Sequence, residues 1–173
     1  MKITNKTNEY REKMRLGCIS EFGETDPEFV EIFENFAFDE VVNQDDLDDK
    51  TRFMAIIATL IGCQGIDIYK DILPVALNFE VTPIEVKEIV YQAVAYLGMA
   101  RVFPFLKATN EILKCRGIKL PLEGQSTTNR ENRRESGTKV QVDIFGDNMK
   151  DFWKSGQEEK RHIISKNIYL YFC

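Results

Sequence analysis

An all-α fold is predicted for this chain by three features of its sequence. Apolar residues recur at helical spacing in several windows, helix-start signals stand directly ahead of them, and the alternating pattern of a half-buried strand is almost absent. Asp26-Pro27-Glu28 supplies an N-cap, a proline at the first helical position and an early carboxylate, so a helix is expected through residues 29–38, FVEIFENFAF. Asp48 and Asp49 place negative charge at the start of a second helix over 51–61, TRFMAIIATLI. That segment is apolar nearly all round, which predicts a central, buried helix broken by Gly62 and Gly65.

A third helix is expected from Ile68 to about Phe79, with Pro74 either close to its first turn or kinking it. Thr82-Pro83-Ile84-Glu85 combines a capping box with proline at the first helical position and is the clearest helix start in the chain. In the helix 83–97 that follows, Ile89, Val90, Ala93, Val94 and Leu97 share a stripe while Glu85, Lys87, Glu88 and Gln92 lie elsewhere. Gly98 ends it, and after a Gly98-Met99 turn a further helix runs over 102–114 with Phe103, Leu106, Asn110 and Leu113 on one face. Residues 118–129, IKLPLEGQSTTN, lack an apolar period and read as a linker. The expected organisation is a helical domain over 1–117, that linker, and a helical extension over 130–173.

At 173 residues the chain is long enough to bury a substantial core. A formal net charge of −5 argues against a nucleic-acid groove, since phosphate binding wants clustered Lys and Arg. The one basic cluster, Arg130, Arg133 and Arg134, is interleaved with Glu131 and Glu135 and reads as a solvated face. No apolar run approaches the roughly 18 residues of a membrane span, and the polar N-terminus has no signal-peptide core, so a cytoplasmic protein is expected. Cys18, Cys63, Cys115 and Cys173 show no paired spacing and are expected as reduced thiols acting as small buried hydrophobes. With a single histidine, His162, no metal-ligand cluster and no cofactor site is visible. His162 is the obvious acid–base candidate by type, but its place between Arg161 and Ile163 favours a surface or packing role.

Residues 47–117 carry Lys50-Thr51-Arg52, Ala76-Leu77, Val81-Thr82-Pro83, Glu85 to Ile89 and Gln92-Ala93-Val94-Ala95-Tyr96-Leu97-Gly98 in order. At this spacing the stretch resembles the carboxymuconolactone decarboxylase family, within the alkyl hydroperoxidase D-like superfamily. The resemblance implies a helical bundle around a central antiparallel helix pair. It also implies homo-oligomeric assembly, as a trimer or hexamer, and an oxidoreductase of the peroxidase type or a decarboxylase acting on a small organic substrate. The family's peroxidase relay uses a Glu, a Cys-x-x-Cys and a His. Here the corresponding positions are Phe53, Gly65 with Ile68, and Ile72. None of these transfers a proton or attacks a peroxide, and the decarboxylase histidine also falls on Ile72.

The sequence therefore leaves two function classes: an enzyme of the family, or a noncatalytic oligomeric or ligand-binding module that retains the fold. The weak catalytic candidate is Cys63, in GCQG at a helix break where local dipoles favour a thiolate; its alternative role is to fill the junction. Gln92, Tyr96 and Arg101 border the family's pocket and are the candidates for contact with an anionic or quinone-like small molecule, with core packing the alternative for Tyr96. Phe53, Met54, Phe103 and Phe105 read as core. Residues 130–146 faintly repeat the pattern of residues 11–23, as expected for the lead-in to a second helical unit, which in two-repeat relatives carries the missing Cys and His. Ile163, Ile164, Ile168, Tyr169, Tyr171 and Phe172 form an apolar run expected to be buried against a second subunit.

Overall fold

A computed structural model of the protein describes residues 2–14, 22–44 and 46–154, and every regular element among them is helical. Cys18, His162, Cys173, the apolar run 163–172 and much of the 11–23 pattern lie outside the described residues. Helix α1 spans Asn5–Met14, α2 is a single turn at Phe22–Thr25, and α3 spans Pro27–Asn35. A π-helical turn, Phe36–Glu40, extends α3, with the Val41 N–H donating to the Phe36 carbonyl. Asp26 sits at the N-cap of α3 ahead of Pro27, but its side chain makes no cap bond, because it instead accepts from the Thr25 hydroxyl at 2.6 Å.

The core is a ring of four helices. Helix α4 (Asp49–Gly62) packs on α5 (Ile66–Asn78) and on α6 (Pro83–Leu97), and both of these pack on α7 (Met99–Cys115). The α6–α7 pair is the most extensive contact in the structure, and the two helices fold back on each other across Gly98 alone. Gly98 is at φ +79°, a conformation that side chains with a Cβ rarely adopt, so glycine lets one helix end where the next begins.

Local chemistry fixes the starts. The Asp48 carboxylate caps α4 by accepting from the Thr51 N–H at 2.9 Å and the Thr51 hydroxyl at 2.7 Å; the backbone bond is the main reason its acidity rises above that of an ordinary aspartate. Both halves of the predicted capping box form at α6: Thr82 Oγ1 accepts from the Glu85 N–H at 3.2 Å, and Glu85 Oε2 accepts from the Thr82 N–H at 2.7 Å. Pro74 lies inside α5 rather than near its start, and its carbonyl accepts from Arg116 Nη2 at 2.9 Å, which ties the end of α7 to α5.

Three faces differ from the pattern reading. Only one stripe of α4 is buried, Phe53, Ile57 and Ile61, because within this chain neighbours cover a single flank of the helix. On α6 the fully buried positions are Val86, Lys87 and Val90, with Ile89, Ala93, Val94 and Leu97 only partly covered. Helix α7 begins three residues earlier than expected and buries Val102, Phe105, Ala108, Thr109 and Leu113, leaving Phe103 57 % exposed. The contact that sets this rotation is polar. Thr109 Oγ1 donates to the Phe105 carbonyl at 2.8 Å and so receives its hydrogen bond from Tyr69 Oη, at 2.6 Å. Burial pushes the Tyr69 phenol up to about 12, and the Tyr69 ring meets Phe105 edge to face at 5.1 Å.

Helix α3 is inverted relative to an ordinary surface helix. Glu34 and Asn35 are buried, while Phe29, Ile32, Phe33 and Phe36 are exposed. Its inner face meets α1: Asn35 Oδ1 accepts from the Thr4 N–H and the Thr7 hydroxyl at 3.0 and 3.1 Å, and Asn35 Nδ2 donates to the Lys2 carbonyl at 3.1 Å. Glu34 pairs with Arg11 at 3.3 Å, and desolvation raises its pKa against the opposing pull of that guanidinium. After the helix-free stretch 118–129, α8 (Arg133–Phe145) packs chiefly on a 3-10 helix, Asp147–Lys154.

Candidate functional site

A groove of about 540 Å³ opens between α4 and α6. Its wall from α4 is Met54, Ala58, Ile61 and Gly62, and its wall from α6 includes Ile89, Gln92, Ala93, Tyr96 and Leu97. The α4 wall thus joins the edge of the buried stripe, at Ile61, to the less covered Met54, Ala58 and Gly62. Glu85 and Glu88 complete the lining. Glu85 is already engaged, with Oε1 2.8 Å from Lys50 Nζ and Oε2 on Thr82; the Lys50 bond is the main cause holding its carboxyl below the ordinary glutamate range. The volume suits a small organic molecule, and the lining is mainly apolar with a few polar groups at one side.

The structure brings two of the three sequence-derived pocket residues, Gln92 and Tyr96, to this groove. Tyr96 is 74 % exposed, so it is a rim residue and not a packed core tyrosine. Arg101 is exposed in the first turn of α7 and does not line the groove. The cation that would have favoured an anionic ligand there is thus elsewhere.

The four relay positions are structural. Phe53 is 2 % exposed and stacks on Phe79 with centroids 4.7 Å apart. Ile72 packs partly buried against the core, Ile68 is exposed on α5, and Gly65 is the residue before α5. Cys63 follows α4 as its C-cap; it is exposed, with Sγ 3.6 Å from the Leu60 carbonyl, and does not fill the junction as a buried small residue would. Cys115 is exposed as well, so neither described thiol behaves as a buried hydrophobe. Arg52, from the Lys50-Thr51-Arg52 signature, donates through Nη2 to the carbonyls of Val42 at 3.2 Å and Leu47 at 2.9 Å, a loop-pinning role. Among the described residues no group of three or more His, Cys, Asp or Glu side chains is placed to hold a metal ion, and no helix is long and apolar enough to cross a membrane.

Pattern reading missed Lys87. It lies 8 % exposed on a second face of α6, with Nζ 2.7 Å from Asn110 Oδ1 and 5.1 Å from the centre of the Tyr91 ring. A helical wheel treats lysine as a surface residue, and only the fold, which brings Asn110 of α7 against it, shows that this one is buried.

Residues 27–111, from the start of α3 to the last turns of α7, match the family model described as the carboxymuconolactone decarboxylase family. No curated protein and no solved structure matches the chain.

Proposed function

Because residues 27–111 belong to the carboxymuconolactone decarboxylase family, we propose that the protein is a noncatalytic member of it that keeps the helical ring as a binding module for a small organic molecule. The observation that carries this reading is Phe53, a core aromatic at the position of the relay carboxylate, with Ile72 at that of the relay base. With Gly65 and Ile68 at the positions of the relay cysteines as well, a peroxidase or decarboxylase cycle of the family's kind lacks its proton-transfer group and its thiol pair. What the fold retains is the apolar groove between α4 and α6. The ligand class that we take for it is a neutral planar molecule of the quinone type, because the lining is mainly apolar and the Glu88 carboxylate disfavours an anion.

Menadione, a neutral naphthoquinone, is the probe. It is expected to shift the methyl resonances of Ala58 and Ala93 saturably, and Tyr96→Ala is expected to weaken binding about tenfold, or about 1.4 kcal/mol. Shifts elsewhere, or equal affinity in Tyr96→Ala, would remove the groove as the binding site.

A homo-oligomer is favoured separately by the outward aromatic face of α3. Residues 22–40 carry seven carboxylates' worth of acidic side chains and no Lys or Arg, whereas residues 160–172 are apolar and basic with no Asp or Glu. The two are complementary, so the second copy's 160–172 segment is the partner assigned to α3. Analytical ultracentrifugation at micromolar concentration is expected to show a species larger than the 20.1 kDa chain, reduced to a monomer on deletion of residues 163–173. A wild-type monomer, or an unchanged oligomer after deletion, contradicts this assembly.

A further inference from the structure

Lys87 is the one buried basic side chain among the described residues. Burial of an ammonium carries a large desolvation cost that proteins normally offset with a carboxylate or a bound anion. No carboxylate among the described residues pairs with it: its contacts are the Asn110 amide oxygen and the Tyr91 ring. An ammonium has three donors, and Asn110 takes one.

The space beside it is a second cavity, of about 430 Å³, distinct from the groove. Ile84, Lys87 and Tyr91 of α6 form one wall, Asn110 and Lys114 of α7 another, and linker residues 120–125 a third. On α6 the two sites occupy neighbouring faces and share only Glu88. The linker is therefore more than a connector, since it lines an open cavity that has the buried Lys87 at its wall and apolar surface from Ile84, Tyr91, Leu120 and Leu122. The partly covered Glu88 and the exposed Glu123 also line it, and neither is paired with Lys87. Glu123 is exposed, Lys87 is buried, and a Coulomb interaction grows as water is excluded.

We propose that this cavity binds a small organic carboxylate with a planar apolar body, its carboxylate accepting from Lys87 Nζ and its body lying against Tyr91 beneath the linker. The bound anion would supply the counter-ion that Lys87 lacks. This inference does not rest on the groove or on its ligand.

The test uses the full-length chain with benzoate as probe, benzamide as its neutral isostere and inorganic phosphate as an anion without an apolar body. Thermal shift and titration calorimetry are expected to show saturable benzoate binding, with benzamide and phosphate at least about tenfold weaker. Lys87→Met, which keeps the side chain's length and apolar stem, is expected to remove benzoate binding while the unliganded protein still unfolds cooperatively, since the lost Asn110 hydrogen bond is offset by the removal of a buried charge. Lys114→Met is expected to weaken binding less, since Lys114 is exposed. Benzoate affinity unchanged in Lys87→Met overturns the proposal, as does equal stabilisation of the wild type by benzoate and benzamide, a reading that does not depend on any variant folding. Absence of benzoate binding up to about 10 mM overturns it too, and a stronger response to phosphate than to benzoate overturns the organic ligand class.

Discussion

Phe53→Glu is expected to unfold the protein or to remove most of its stability, although it restores the residue type of the relay position. Phe53 is 2 % exposed, stacks on Phe79 at 4.7 Å and belongs to the buried stripe of α4. Truncating a buried phenylalanine costs about 3–5 kcal/mol through lost transfer energy and the cavity left behind. A carboxylate adds the cost of a buried polar group with no partner, and its pKa would rise until it is neutral. Since a domain has about 5–15 kcal/mol in total, urea unfolding followed by circular dichroism should give Phe53→Ala a loss of about 3–5 kcal/mol and Phe53→Glu a larger one or no cooperative transition. Phe53→Leu should cost far less. A Phe53→Glu variant as stable as the wild type would mean that the position opens to solvent or to a partner group, and the relay site would have to be reconsidered.

The second large effect is at the inner face of α3. Asn35→Ala is expected to cost about 1–3 kcal/mol, because it removes the partner of the partly buried Thr4 N–H and Lys2 carbonyl and leaves the buried Thr7 hydroxyl only its bond to Thr4 Oγ1. The damage should be local. Hydrogen exchange is expected to accelerate through α1 while protection in α4 to α7 persists, since α1 reaches the ring mainly through Tyr10, which stacks on Phe38 and Phe79 and donates to Asp49 at 2.8 Å. Uniform loss of protection across the whole chain would show instead that α1 and the ring unfold as one unit.

What the sequence revealed and what it hid follow from the range of the interactions involved. The starts of α4 and α6 were legible because Asp48, Thr82 and Glu85 act within three residues of themselves. The all-helical fold and the α6–α7 pair were legible for a related reason, since helical spacing and a Gly98 break are local facts. The rotation of α7 was not. Phe103 and Phe105 are equally apolar, and the choice of Phe105 for the core depends on Tyr69, which lies in another helix and bonds Thr109. Helix α3 misleads a wheel for the same reason, because Thr4, Thr7 and Arg11 in α1 make its polar residues the better inner face. Gln92 and Tyr96 were chosen by position and both line the groove, whereas Lys87 was hidden because its burial depends on Asn110, which lies in another helix.

Peroxide turnover by the full-length chain with a dithiol reductant is the most direct measurement of the central claim, that the fold is retained without the relay. The positions of the relay's two cysteines are Gly65 and Ile68, so among the described residues a sulfenate formed at Cys63 lacks the relay's resolving thiol, and Phe53 and Ile72 offer no base to keep the thiol ionised. The account predicts consumption of peroxide at the rate of the protein-free control, equally for the wild type and for Cys63→Ser. Robust catalytic turnover by the wild type that disappears in Cys63→Ser would contradict it and make Cys63 a nucleophile served by a partner group that the ring itself does not supply.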